Sequence, residues 1–263
     1  MQIERAIDLG WFDLVLAAAL VLVAIAISVW QRLGLGKSLL VGAIRATVQL
    51  LLIGHVLLMI FASREWSLVL AFLLLMVLAA TIAATRRLEK HSAAPLRLIC
   101  GIAILVGSSI TLLYVGTIVV HVSPWYDPRY LIPIFGMIVG NAMNGATLTA
   151  DRLYSEMRAR HADIEALLAL GASPAHASRD AVKKAISAAM IPTVNALAVV
   201  GIVALPGMMT GQILAGGDPT QAVRYQAMVM FMLTAATAIT STCVALWYRR
   251  TFFSPAEQLL PLD

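Results

Sequence analysis

The chain has 263 residues, of which 60% are hydrophobic and 13% charged, and its formal net charge is +5. Soluble domains are about 45–50% apolar and about 25% charged, so this composition excludes an ordinary water-soluble domain. The basic residues are sparse and scattered among apolar runs, which argues against nucleic-acid binding. Cys100 and Cys243 both lie in apolar runs and predict neither a disulfide framework nor a zinc site.

A transmembrane helix needs about 20 mostly apolar residues, and several stretches of the chain meet that length. They cover residues 12–30, 39–61, 67–85, 98–121, 131–150, 187–206 and 223–247. These runs lack the alternation typical of a transmembrane β-strand. The first run lacks a basic leading segment and a cleavage site, which favours a retained helix over a signal peptide. The sequence therefore predicts an all-α membrane bundle of about seven helices, forming a single domain over residues 1–263.

Lysine and arginine are unevenly distributed between these spans. Fourteen of the nineteen fall on one side of an alternating topology, four fall on the other, and Arg45 lies inside the second span. Cytoplasmic loops carry the excess of basic residues, so the N-terminus is expected outside and the C-terminus in the cytoplasm. The fourteen are Arg32, Lys37, Arg86, Arg87, Lys90, Arg97, Arg152, Arg158, Arg160, Arg179, Lys183, Lys184, Arg249 and Arg250, and the four are Arg5, Arg64, Arg129 and Arg224.

The run from Gly34 to Ser38 is similar to the end of a phosphate-binding P-loop. The full pattern needs another glycine where this chain has Gln31, and it should follow a buried strand rather than a membrane helix. We therefore interpret the run as a cytoplasmic turn, and we expect no ATP site on this chain.

The second predicted span contains Arg45 and Gln49, which are four residues apart and share one helix face. A charge inside a bilayer is costly and is usually paired or functional. Near a helix end, an arginine can instead extend to the interface. Both interpretations remain open: a polar stripe facing the bundle interior, or an interfacial arginine.

The fifth predicted span carries Asn141 and Asn144 within one helical turn, after Gly136 and Gly140. The glycine pair favours close approach of another helix. Asparagine in lipid needs a polar partner, so these side chains indicate either interhelical hydrogen bonds or a substrate pathway.

The sixth predicted span has Asn195 one turn after its start and ends near Pro206 and Gly207. The residues beyond that pair remain apolar, which predicts a kink or a partly re-entrant segment. Met208 and Met209 offer thioether sulfur, which binds soft metals. Methionine is also a common gap-filler in apolar packing, so the ligand role stays open.

The connection over residues 151–186 is polar and helix-prone, with an apolar face that includes Ile164 and Leu168. One interpretation is an amphipathic helix lying on the membrane surface. Another comes from Glu165, Ala166 and Gly171, whose spacing resembles the Glu-Ala-Ala-x-x-x-Gly motif of ABC importer permeases, a short helix that sits in a groove of the ATPase. Leu167 replaces the second alanine, and Ile191-Pro192 comes about ten residues later than the corresponding motif in that family.

Several segments in the same order over nearly the whole chain resemble the FetB-like iron-export ABC permeases, and plant ABC permeases linked to aluminium tolerance are similar too. The segments are 45–54, 136–144, 165–172 and 205–216, followed by Pro219, Ala222 and Tyr225-Gln226. The resemblance implies a permease subunit in the inner cell membrane that forms a homodimer, pairs with a separate ATP-binding subunit and exports iron. It implies that ATP binds the partner, and that no cofactor binds this chain.

Within that resemblance, the candidate site residues form two groups, and the metal ligands are undefined. Glu165, Ala166 and Gly171 are expected at the ATPase contact. The transport pathway or its hinge is expected at Arg45, Gln49, Asn141, Asn144, Asn195, Pro206, Gly207, Met208 and Met209.

The alternative function is a secondary transporter or channel for a small ion or solute without an ATPase. A gradient-driven transporter usually needs a carboxylate within the membrane, whereas Asp13 and Asp151 lie at span ends. A membrane enzyme would need a nucleophile–base pair or a metal cluster, and the five histidines are scattered. A scaffold role also stays open. The side chains alone define neither the substrate nor the direction of transport.

Overall fold

The computed structural model describes residues 10–63, 65–86, 88, 94–121 and 124–261. Across these ranges, seven helices are long and apolar enough to cross a membrane, which confirms the predicted helical membrane bundle. Four of the basic residues used to predict the orientation (Arg5, Arg64, Arg87 and Lys90) lie outside the described ranges.

The helices follow one another with short connections, and the described ranges contain isolated β-bridges but no β-strand. The fourth helix continues into a π-helical turn, Val115–Val120. The helices are α1 (Trp11–Trp30), α2 (Gly36–Ser63), α3 (Trp66–Arg86), α4 (Ala94–Tyr114), α5 (Pro128–Ala159), α6 (His161–Ala169), α7 (Pro174–Ala177), α8 (Arg179–Val199), α9 (Gly207–Leu214) and α10 (Pro219–Arg250).

Helix α8 begins and ends earlier than its predicted span of 187–206. It starts at Arg179, so its first turns contain charged residues that precede the apolar run. It ends at Val199 because Gly201 adopts a left-handed conformation (φ 84°) and its N–H donates to the Ala204 carbonyl at 2.9 Å. Hydropathy continues past this turn, so it overestimates the helix at that end.

The chain forms two compact units, of which the first contains α1, α2 and residues 214–216. Its two helices are joined by a tight turn in which Arg32 and Gly34 have positive φ. The buried Ser28 hydroxyl accepts a hydrogen bond from the Leu35 N–H at 3.0 Å and closes the turn. Gly34–Ser38 therefore form the end of this turn and the first residues of α2, which confirms the turn predicted there.

The second unit contains α3 to α8, most of α9, and α10, with α5 and α10 as its most buried helices. Helix α10 packs closely against α4 and α5 at two glycines. A Cβ on Gly107 would overlap the Thr240 hydroxyl, and one on Gly145 would lie 2.9 Å from the Ser241 hydroxyl. Small residues at such contacts let helix backbones approach in a membrane. Of the two glycines predicted to allow close approach, Gly136 would place a Cβ 3.0 Å from the Met76 Cε on α3, whereas Gly140 has open space around it.

Candidate functional site

Helix α6 is a short helix that follows directly after α5. The chain turns at Arg160, and α6 ends in a Schellman motif. In that motif the Gly171 N–H donates to the Leu168 carbonyl at 2.9 Å, and the Ala172 N–H donates to the Leu167 carbonyl at 3.0 Å. Gly171 has φ 87°, a conformation that favours glycine. The glycine of the predicted coupling motif therefore terminates this helix.

Most of α6 is exposed. It buries Ile164, whereas Glu165 and Ala166 lie on its accessible surface. The Glu165 carboxylate lies 3.5 Å from the His161 ring as a surface pair. Leu170, just after the helix, is 85% exposed. The helix thus presents a mixed polar and apolar surface to a partner or solvent.

A buried carboxylate joins α5, which precedes α6, to α8, which follows α7. The Glu156 side chain on α5 is 9% exposed and lies 2.7 Å from Arg152 and 3.1 Å from Arg160. It also lies 3.5 Å from Lys184 on α8. Arg160 in turn lies 3.4 Å from Asp180 at the start of α8. We call this cluster (Arg152, Glu156, Arg160, Asp180 and Lys184) the basic junction.

The C-terminal segment adds an apolar contact to the same end of the second unit. The ring of Phe252 lies 6.2 Å from that of Tyr154 on α5 and 4.7 Å from that of Tyr248 on α10. The segment then folds back, and the Leu260 N–H donates to the Phe252 carbonyl at 2.9 Å. Ion pairs therefore link the end of α5 to the start of α8, and aromatic contacts link the end of α5 to the end of α10.

The opposite end of α8 leads into an exposed apolar loop. Ile202 is 89% exposed, and Val203 and Leu205 are exposed as well. Pro206 precedes α9, and its carbonyl accepts a hydrogen bond from the Thr210 N–H at 3.1 Å. The helix therefore ends at Val199, before the break predicted near Pro206 and Gly207, and a turn over residues 200–206 leads into the short helix α9. We call residues 200–207, which include the first residue of α9, the loop before α9.

The two methionines of α9 lie on the inner side of the second unit. Met209 is buried, and Met208 packs against a core cluster of α4, α5 and α10. Met137 and Met228 pack against the same cluster, whose buried members are Val115, Ile134, Ile138, Val229, Met232 and Ala236. Among the described residues, no group of three or more His, Cys, Asp or Glu side chains could hold a metal ion.

The predicted asparagines occupy different environments in the second unit. Asn141 is half-buried, and its amide donates to the Met137 carbonyl of its own helix at 3.1 Å. Asn144 and Asn195 are exposed on α5 and α8. An exposed amide on a membrane helix is free to line a wet path or to contact another chain.

Arg45 and Gln49 lie on α2 in the first unit. Both are exposed within that unit, one helical turn apart. Arg45 has no acidic partner within 4 Å among residues the structure describes. The two side chains form an exposed polar stripe on α2.

Glu156 was not identified from the sequence, although a signal for it exists. Arg152, Glu156 and Arg160 follow one another at four-residue spacing, which places them on one helix face. The spacing could have indicated an ion-pair ladder. The approach of Lys184 from α8 could not be read from it, because that contact depends on how two helices pack.

Together, these helices, their apolar surface and their charged ends define a multi-pass α-helical membrane protein. The chain belongs to the UPF0014 family, described as an uncharacterised protein family, which it matches over residues 11–253. No solved structure matches the chain.

Several relatives align with nearly the whole chain. The chain is 41% identical over 250 residues to the "Probable iron export permease protein FetB" of Escherichia coli strain K12, covering 94% of each chain. It is 34% identical to the "UPF0014 membrane protein YjkA" of Bacillus subtilis strain 168, covering 95% of this chain and 98% of that one. It is also 34% identical to the "Protein ALUMINUM SENSITIVE 3" of Arabidopsis thaliana, covering 92% and 87%. The expected similarity to the FetB-like family is confirmed.

Proposed function

We propose that this chain is the membrane subunit of an ABC exporter, that it works with a separate ATPase, and that it carries iron. The observation that carries the proposal is α6, an exposed nine-residue helix beside the basic junction with its buried Glu156. A motor that moved α6 would pull on Arg160, which pairs with Glu156 and Asp180. The motion would then pass to α5 and α8 together.

ATP binding to the partner would supply the free energy for that motion. A nucleotide shifts a two-state equilibrium only by its different affinity for the two states. In this proposal, closure of two ATPase subunits moves α6 in each of two permease copies, and the bundle changes between inward-open and outward-open states. Asn141, Asn144 and Asn195 are candidates for the polar path, and the loop before α9 is the candidate hinge.

Iron as substrate is supported by the name of the Escherichia coli relative. The described residues contain no cluster of His, Cys, Asp or Glu side chains that would add support. The substrate is therefore the first quantity to measure. Proteoliposomes containing the chain and a candidate ABC ATPase should move Fe²⁺ only when ATP is present on the ATPase side. Al³⁺ and Zn²⁺ serve as comparison cations, and liposomes with either subunit alone serve as controls. Iron movement by the chain alone at the same rate would contradict the proposal.

The docking of α6 can be tested by crosslinking. With Cys100 and Cys243 first replaced by alanine, we expect Glu165→Cys to crosslink to the ATPase. A matched cysteine at Thr220, which is exposed in the first turn of α10, should not. A crosslink from Thr220 with none from Glu165 would reverse the proposed orientation. Steady ATP hydrolysis by the purified chain alone would contradict the assignment of ATP to the partner.

A further inference from the structure

A cleft between α5 and α8 lies beside the basic junction. It has a volume of about 660 Å³ and is lined by Arg152, Asp180, Lys183, Lys184, Ser187, Ala188 and Ile191. Arg152, Asp180, Lys183 and Lys184 form its charged end, and Ala188 and Ile191 form its apolar end. We propose that this cleft binds one anionic phospholipid, with the phosphate at Lys183 and Lys184 and an acyl chain along α8.

The sequence places the cleft at the level of the lipid headgroups. Helix α5 has no charged residue over 131–150, and charged residues resume at Asp151 and Arg152. Helix α8 has none over 185–199, and its charges end at Lys184. Glu156, five residues beyond Asp151 on α5, lies 3.5 Å from Lys184, so the two boundaries lie within about two helical turns of each other. Both helices therefore enter the apolar layer near the cleft.

The charge at this level is unbalanced in favour of an anion. The cleft and the basic junction together contain four basic side chains (Arg152, Arg160, Lys183 and Lys184) and two acidic ones (Glu156 and Asp180). Across the described ranges, Lys183 has no acidic partner within 4 Å, and its side chain is exposed. Basic pockets between transmembrane helices at the cytoplasmic side are suited to anionic headgroups.

The outer surface of α8 continues the cleft as an apolar strip. Ala188, Ile191 and Val194 follow the lysines at helical spacing, and Ile191 and Val194 are more than half exposed. From Lys184 to Val194 the helix rises about 15 Å. That rise equals about half of a 30 Å hydrocarbon core, so it matches one leaflet. A free phosphate would use the lysines and leave this strip uncovered, which favours a phospholipid.

Lipid binding to the purified full chain tests the proposal. We expect native mass spectrometry in detergent to show phosphatidylglycerol retained over phosphatidylcholine of the same chains. Lys183→Gln should weaken phosphatidylglycerol binding about fivefold, since one basic residue near a membrane surface contributes about that factor. Arg250→Gln, which removes a basic residue from the end of α10, is the matched control and should change it less than twofold.

The thermal midpoint of unfolding gives a second readout. Phosphatidylglycerol should raise the midpoint of the native chain and raise that of Lys183→Gln less, while Lys183→Arg should behave as the native chain does. Equal retention of both lipids, or equal weakening by Lys183→Gln and Arg250→Gln, would overturn the proposal. So would equal protection by inorganic phosphate, which would show that the acyl chain has no role. None of these outcomes depends on the proposed transport activity.

Discussion

The two ends of α8 differ in how firmly they are held. At its start, Lys184 and Asp180 pair with side chains of the α5 end, and Glu156 is buried among them. At its finish, the chain enters the loop before α9, where apolar side chains are exposed and Gly201 has a left-handed conformation. A segment with few buried contacts opens at lower cost than a segment in a buried network.

This difference indicates where the second unit would deform. A displacement applied near α6 would move the ends of α5 and α8 together, because the basic junction links them. The change in shape would then be taken up at the far end of α8, where residues 200–207 can alter their backbone angles. The close contacts of Gly107 and Gly145 with α10 would keep α4, α5 and α10 together during that motion.

The largest effect is expected away from both ends of α8, where α4 packs against α10. Gly107→Ala places a Cβ against the Thr240 hydroxyl and within 3.3 Å of the Ala236 carbonyl. Overpacking of this kind costs about 1–3 kcal/mol, and we expect a loss near the upper value. Unfolding in a denaturing detergent series measures it. Gly140→Ala is the control, since its surroundings are open, and it should be neutral or slightly stabilising. Equal stability of the two variants would refute the close packing.

The next effect is expected at the basic junction. Glu156→Gln keeps the side-chain shape and removes the charge that faces Arg152, Arg160 and Lys184. Breaking a buried pair costs about 3–5 kcal/mol, but these partners are partly exposed and can be hydrated, so we expect about 1–2 kcal/mol. Glu165→Gln, at an exposed pair, should cost less than about 0.5 kcal/mol. If both variants unfold at the same denaturant concentration, Glu156 does not hold α5 and α8 together.

The sequence predicted more of the fold than of this junction. Apolar runs located all seven spans, because hydropathy depends on local composition. The same runs placed α8 at 187–206 rather than Arg179–Val199, because hydropathy cannot detect a left-handed glycine or a helix that continues into water. The predicted short helix at the Glu165–Gly171 motif is present as α6 (His161–Ala169), and Gly171 lies in the turn that ends it. The burial of Glu156 and the contacts of Gly107 depend on tertiary packing, which a single sequence does not state.

A smaller effect is expected in the loop before α9. Gly201→Ala introduces a Cβ at φ 84°, which costs about 1–2 kcal/mol in a left-handed conformation. The surrounding loop is exposed and can relax, so the loss in global stability should stay near 1 kcal/mol. We expect local proteolysis at residues 200–207 to increase more than global unfolding does. Gly211→Ala in α9, where space is open, is the control. Global destabilisation above that of Glu156→Gln would show that this end is the firmer one.

The smallest effect on stability is expected at the asparagines of α5, and there the comparison extends to function. Asn144 is exposed, and Asn141 donates to a carbonyl of its own helix, so replacing both by leucine removes no bond between helices. Unfolding should shift by less than about 1 kcal/mol. Transport in proteoliposomes should fall severalfold if these amides line the path that the motion of α8 opens. Leu148→Ala, an exposed change four residues beyond Asn144, controls for altered lipid contact. Full transport by the double-leucine variant would assign the asparagines to structure alone and would leave the path to other helices.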